Sequence, residues 1–225
     1  MQTWTGAAPR AAPAEALKGF SAVYRSAGRR ARITCILLGI VGFITLLAMI
    51  QDGSGALLVQ DARAGMLLPK EANNFDRSTA FVVFGSLGAQ LLTAISYFAW
   101  LSRTVDNVPV LGGGRPSVTP RWSIGWWFVP FANLVKPFQI VSELHDRLAI
   151  GARSGGDWIV LAWWLTWLLG NLITIPARLA PEPTDLDALQ RLFSIKGVGD
   201  GVTFLAVVLA IAVVLRIQWR AEARA

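Results

Sequence analysis

His145 is the only histidine in the chain, and Glu143 and Asp146 lie close to it in sequence. An imidazole near carboxylates is the pairing that pH sensing or general-base chemistry uses. The helical spacing of Val141, Leu144 and Leu148 instead makes residues 138–150 an amphipathic helix, with Glu143, Asp146 and Arg147 facing elsewhere. His145 then reads as a surface residue of that helix. A protein zinc site draws on several His, Cys or carboxylate ligands. One histidine and one distant cysteine, Cys35, do not supply them. Cys35 itself is read as a small packing residue inside an apolar run. Ser86 sits in Gly-Ser-Leu-Gly, which is not the Gly-x-Ser-x-Gly of a nucleophile elbow, and no base is placed beside it. The glycines of 111–114 are not followed by Lys-Ser/Thr, and Lys-Gly-Val-Gly-Asp-Gly at 196–201 fails the dinucleotide pattern. No catalytic, metal or cofactor-binding residue is therefore expected, and no cofactor.

What remains is a set of polar groups in apolar surroundings. Asn133 and Asn171 are amides within apolar runs, and Lys136 stands beside Pro137. An unpaired amide in hydrocarbon is costly, so each amide must face protein or water. Asn171 shares a helical stripe with Trp164 and Trp167. The candidate ligand or packing site is Trp126, Trp127, Pro130, Asn133, Lys136, Pro137 and Asn171. Two readings stay open. One is a polar lining for a ligand or ion path, with Lys136 meeting a lipid phosphate or substrate anion. The other is helix-to-helix hydrogen bonding and interface packing.

The elements that must position these residues follow from composition. Of 225 residues, 54% are apolar and 16% charged, and the mean hydropathy is +0.49. That excludes intrinsic disorder, which needs low hydrophobicity, and a lone cysteine excludes a disulfide scaffold. An integral membrane protein remains, all-α. The net charge of +7 does not argue for nucleic acid, because the basic residues flank apolar runs and mark a cytoplasmic side. Four spans are expected, at about 33–50, 80–101, 158–177 and 202–218. The first is too long for a signal-peptide core and is read as an uncleaved anchor. Before it come a flexible tail, 1–16, and a basic interfacial helix, 17–32; after the last comes a cytoplasmic tail, 219–225. Gly85, Ser86, Gly88 and Ala89 form a small-residue patch that suits close helix packing.

The segment 122–150 is different. Its apolar part, 122–135, is only 14 residues, short for a crossing, and carries Pro130. If it does not cross, Lys and Arg divide fifteen to six between the two sides; if it crosses, twelve to nine. The positive-inside rule favours the first. Both termini are then cytoplasmic, and 122–150 is a proline-broken re-entrant or interfacial segment followed by an amphipathic helix.

Pro-Arg-Trp-Ser-Ile-Gly-Trp-Trp-Phe-Val-Pro-Phe-Ala-Asn-Leu-Val-Lys-Pro-Phe-Gln, residues 120–139, resembles a bacterial family of multi-pass membrane proteins, domain of unknown function 4328. Asn107, Leu111, Gly112 and Glu143 fit that resemblance as well, as do Trp163-Trp164 and Trp167-Leu168. The resemblance spans roughly 30–218. It implies a bacterial inner-membrane protein and no particular activity. Relatives tend to carry an aromatic residue where this chain has His145, which argues against histidine chemistry. The expected function is non-enzymatic: a scaffold, sensor or partner-binding membrane subunit. The expected partners are the bilayer, anionic lipid head groups, and a protein partner or second copy. A small transporter or channel component with a polar site at 130–137 is the alternative, and a membrane-embedded enzyme a more distant one.

Overall fold

The computed structural model describes residues 19–150, 157–179 and 181–225. The expected tail 1–16 lies outside them. The described chain is helical, with no strand among the described residues. In order come α1 (Gly28–Arg63), α2 (Pro69–Asn107), α3 (Pro120–Gly125), a 3-10 turn (Ala132–Leu134), α4 (Lys136–Arg147), α5 (Asp157–Leu179) and α6 (Leu186–Glu222). α1, α2, α5 and α6 are long and apolar enough to cross a membrane. They hold the four expected spans. α1 packs against both α2 and α6, and α6 packs against α5 as well.

The helices are longer than the apolar runs. α1, α2 and α6 have 36, 39 and 37 residues, so each is about 55 Å long at 1.5 Å per residue, against roughly 30 Å of hydrocarbon. Most of the excess lies at one end. Residues 51–63, 69–79 and 186–201 continue as helix, although the sequence reads as polar connection there. Side chains join these extensions. Gln51 donates to the Phe75 carbonyl at 3.1 Å and to Ser78 and Thr79 at 2.8 Å each. Lys196 meets the buried Asp52 at 3.0 Å, and the rings of Phe75 and Phe193 meet edge to face at 5.6 Å. Hydropathy marks the length that hydrocarbon must cover; these contacts carry the helices beyond it.

The opposite end gathers both terminal regions. The helix expected over 17–32 does not form across its length: 19–27 are non-helical, and α1 starts at Gly28. The backbone there bonds to α2 in place of its own turns. The Ser21 N–H donates to Asp106 at 2.7 Å. Asn107 accepts from the Arg25 N–H at 3.3 Å and donates to the Arg25 carbonyl at 2.9 Å. Residues 219–222, expected in a tail, belong to α6. Arg220 is buried and donates to the His145 carbonyl at 2.7 Å, and Arg224 bonds to the Leu111 and Ala149 carbonyls.

Close helix approach uses other glycines than expected. A Cβ added at Gly85 or Gly88 would meet nothing within 4 Å, so these two glycines serve no close helix approach among the described residues, while Ala89 of the same patch is buried in the core. At Gly170 it would come within 2.8 Å of Thr203 Oγ1, and at Gly199 within 2.6 Å of Thr174 Cγ2. α5 and α6 therefore meet where side chains are missing, as tightly packed membrane helices do.

Candidate functional site

The segment 120–147 is built as a hairpin. Thr119 caps α3, its hydroxyl accepting from the Trp122 N–H at 3.5 Å, and Pro120 occupies the first helical position, where its missing N–H leaves no bond unmade. α3 ends at Gly125. Phe131 then takes φ 60, the left-handed region that a bulky residue enters only when neighbours hold it there. The 3-10 turn follows, and Pro137, buried in the first turn of α4, restarts the helix. The two arms are tied together at the base. Glu143 accepts from the Ser117 N–H at 2.9 Å and from Arg147 Nε at 2.6 Å, and Arg147 Nη1 donates to the Gly113 carbonyl at 2.9 Å. The segment thus begins and ends at the same end of the bundle.

Between those ends it reaches deep. Trp127 lies edge to face with Tyr97 and Phe98 at 5.6 Å each, and with Trp164 and Trp167 at 6.0 Å each. Tyr97 and Phe98 stand about ten residues, or about 15 Å, up α2 from its end at Asn107. Trp164 stacks on Trp167 at 4.9 Å, and its indole N–H donates to the Leu134 carbonyl at 3.1 Å. That bond satisfies a carbonyl that the irregular backbone leaves open. Trp163, 6.5 Å from Tyr97, closes the contact between α2 and α5.

The candidate residues do not converge into one polar site. Trp126 and Lys136 pair, with Nζ 5.6 Å above the ring, a cation–π arrangement. Trp127 is the hub of the ring cluster. Asn133 is half-buried, and its backbone N–H donates to the Val129 carbonyl at 3.0 Å. Pro130 is exposed at the tip, and Pro137 is buried. Asn171 donates to the Trp167 carbonyl one turn back at 2.7 Å, so it neither bridges two helices nor reaches Asn133 with that donor. Open space lies elsewhere: a cavity of about 480 Å³ beside Arg30, Arg103 and Arg121, and an apolar one of about 240 Å³ among Gly55, Phe75 and Phe193.

His145 is not a surface residue. It is 1% exposed, on the face of α4 that carries Val141, Leu144 and Leu148 inward. Burial is the largest influence on it and lowers its pKa from 6.5; the Arg220 and Arg216 charges act the same way, and Asp146 opposes them. Among the described residues no group of three or more His, Cys, Asp or Glu could hold a metal ion.

A family model, domain of unknown function (DUF4328), matches residues 63–219. That span covers well over half of the chain, including the whole hairpin. The chain belongs to the DUF4328 family. No curated protein and no solved structure matches it. The family match begins at the last residue of α1, later than the resemblance over roughly 30–218 implied. The DUF4328 region therefore holds α2, the hairpin, α5 and nearly all of α6, while nearly all of α1 and the non-helical strap before it, residues 19–27, lie outside. Asn107 and Glu143 are anchors that spacing alone did not identify; only the Glu143–Arg147 pairing, four residues apart on one helix, gave a sign.

Proposed function

We propose that this DUF4328 protein is a non-enzymatic, partner-binding subunit of the bacterial inner membrane, with both termini in the cytoplasm and the 120–147 hairpin entering from that side. One observation carries the reading. The hairpin is braced on its inner side by the Trp127 cluster, yet at its tip Phe128 is 71% and Phe131 86% exposed, with Phe131 fixed at positive φ. Holding these rings outward on a rigid base pre-forms an apolar ridge, and such patches mark contact with another helix or with lipid. Transport has less support, because the Asn171 donor is taken up by its own helix and Lys136 by the Trp126 ring.

The test is a photocross-linking amino acid at position 131 in cells, with Gly85 as the control position on another exposed face. A discrete protein adduct from 131, identified by mass spectrometry and missing from 85, supports the reading. Lipid adducts alone from both positions overturn it.

A further inference from the structure

The 480 Å³ cavity lies where the strap, α1, α2 and α3 meet, and Gly19, Arg30, Arg103, Asp106, Thr119 and Arg121 line it with Ser102 and Pro120. Three guanidiniums face one carboxylate, an excess of two positive charges. Asp106 is already engaged: it accepts the Ser21 N–H and stands 3.9 Å from Arg103. Arg30 uses Nη1 on the Ala99 carbonyl at 2.7 Å, which fixes its guanidinium and leaves its other N–H groups open. Arg121 pairs with no carboxylate among the described residues. Arg103 is only 19% exposed, so its charge is held in place largely out of water. Like charges gathered at reduced dielectric repel each other unless an anion joins them. Arginine forks match phosphate oxygens in pairs, and the volume is that of ordinary small-molecule sites.

We infer that this cavity binds a phosphate ester. Its depth agrees. Arg30 stands three residues before the apolar run 33–50, and Arg103 two residues after 80–101, so the guanidiniums lie at the level of lipid phosphates. Ile33, exposed and three residues along α1 from Arg30, offers a track for an acyl chain. The same chemistry also fits a soluble phosphate ester entering from the aqueous side.

The experiment uses the full-length protein in phosphatidylcholine nanodiscs and reads its unfolding midpoint. One arm adds phosphatidylglycerol to the lipid; the other titrates inorganic phosphate and glycerol 3-phosphate. Variants are Arg30→Gln and Arg121→Gln, with the exposed Arg77→Gln at the opposite end as control. A rise in the midpoint, with apparent affinity about tenfold weaker in Arg121→Gln and unchanged in Arg77→Gln, is expected from losing one charge-assisted contact. A response to phosphatidylglycerol alone identifies a lipid head group; a response to free phosphate in phosphatidylcholine identifies a soluble ester. Arg30 also holds α2, so its variant can fail to fold, whereas Arg121 is exposed and keeps the test open. No rise in either arm, or an Arg121→Gln response equal to that of Arg77→Gln, overturns the proposal.

Discussion

Replacing Trp127 with leucine removes the hub that fixes the hairpin, and the expected loss follows from its neighbours. Trp127 touches four rings, on Tyr97, Phe98, Trp164 and Trp167. Each aromatic pair contributes about 0.5–1.5 kcal/mol beyond area burial. In a bilayer the transfer of apolar surface adds little, because lipid tails are as apolar as leucine. Trp127→Leu is therefore expected to lower stability by about 2–6 kcal/mol. Phe128, next in the chain, has one ring partner, Phe98 at 5.8 Å, so Phe128→Leu is expected to cost about 0.5–1.5 kcal/mol. The buried Trp127 indole N–H has no acceptor among the described residues. Trp127→Phe deletes that N–H while keeping a ring, so its effect should lie between the other two. The assay is reversible unfolding in mixed micelles by titration with a denaturing detergent, alongside amide exchange across 128–135. Equal losses for Trp127→Leu and Phe128→Leu, or a Trp127→Leu loss under about 0.5 kcal/mol, would refute the hub.

Burial disfavours the charged form of His145 in the folded chain, so the unfolded chain binds more protons below its ordinary pKa of 6.5. Its contribution is complete above that pH and falls as pH drops toward the lowered folded value, by at most about 1.4 kcal/mol per pH unit. His145→Phe should flatten the unfolding midpoint between about pH 5 and about pH 7, and an unchanged slope would place the proton elsewhere. Gly199→Ala should destabilise by about 1–3 kcal/mol, because its Cβ would meet Thr174 and Ile173. Gly85→Ala, with open space around it, should stay within about 0.5 kcal/mol in the same titration. Asn107→Ala strips both bonds to Arg25 and should cost about 1–3 kcal/mol; amide exchange over 19–27 should speed up, and unchanged exchange would mean the strap is held otherwise.

The four spans were legible because hydrocarbon demands continuous apolar runs, and 33–50 and its counterparts meet that demand. Helix ends were not, because Gln51, Asp52 and Lys196 look like loop residues until their partners on neighbouring helices are known. The strap at 19–27 misled for a related reason: Phe20 and Tyr24 have helical spacing, but Asp106 and Asn107 offer that backbone better bonds than its own turns. For His145 the signal was present. It stands four residues from Val141 and three from Leu148, which puts it on the buried stripe. Within the site, the hairpin's broken backbone was readable from Pro130 and Pro137. The ring cluster was not, since nothing local links Trp127 to Tyr97 or Trp164.

Sidedness of the hairpin bears most directly on the whole account. The measurement is labelling by a thiol reagent that cannot cross the bilayer, in a Cys35→Ala background, with Arg115→Cys before the hairpin, Ile150→Cys after it and Met66→Cys in the α1–α2 connection; all three positions are exposed. A hairpin that enters and leaves on the cytoplasmic side predicts that 115 and 150 react only once spheroplasts are opened, while 66 reacts in intact ones. Reaction of 115 and 150 from opposite sides would make the segment a fifth crossing and contradict the account.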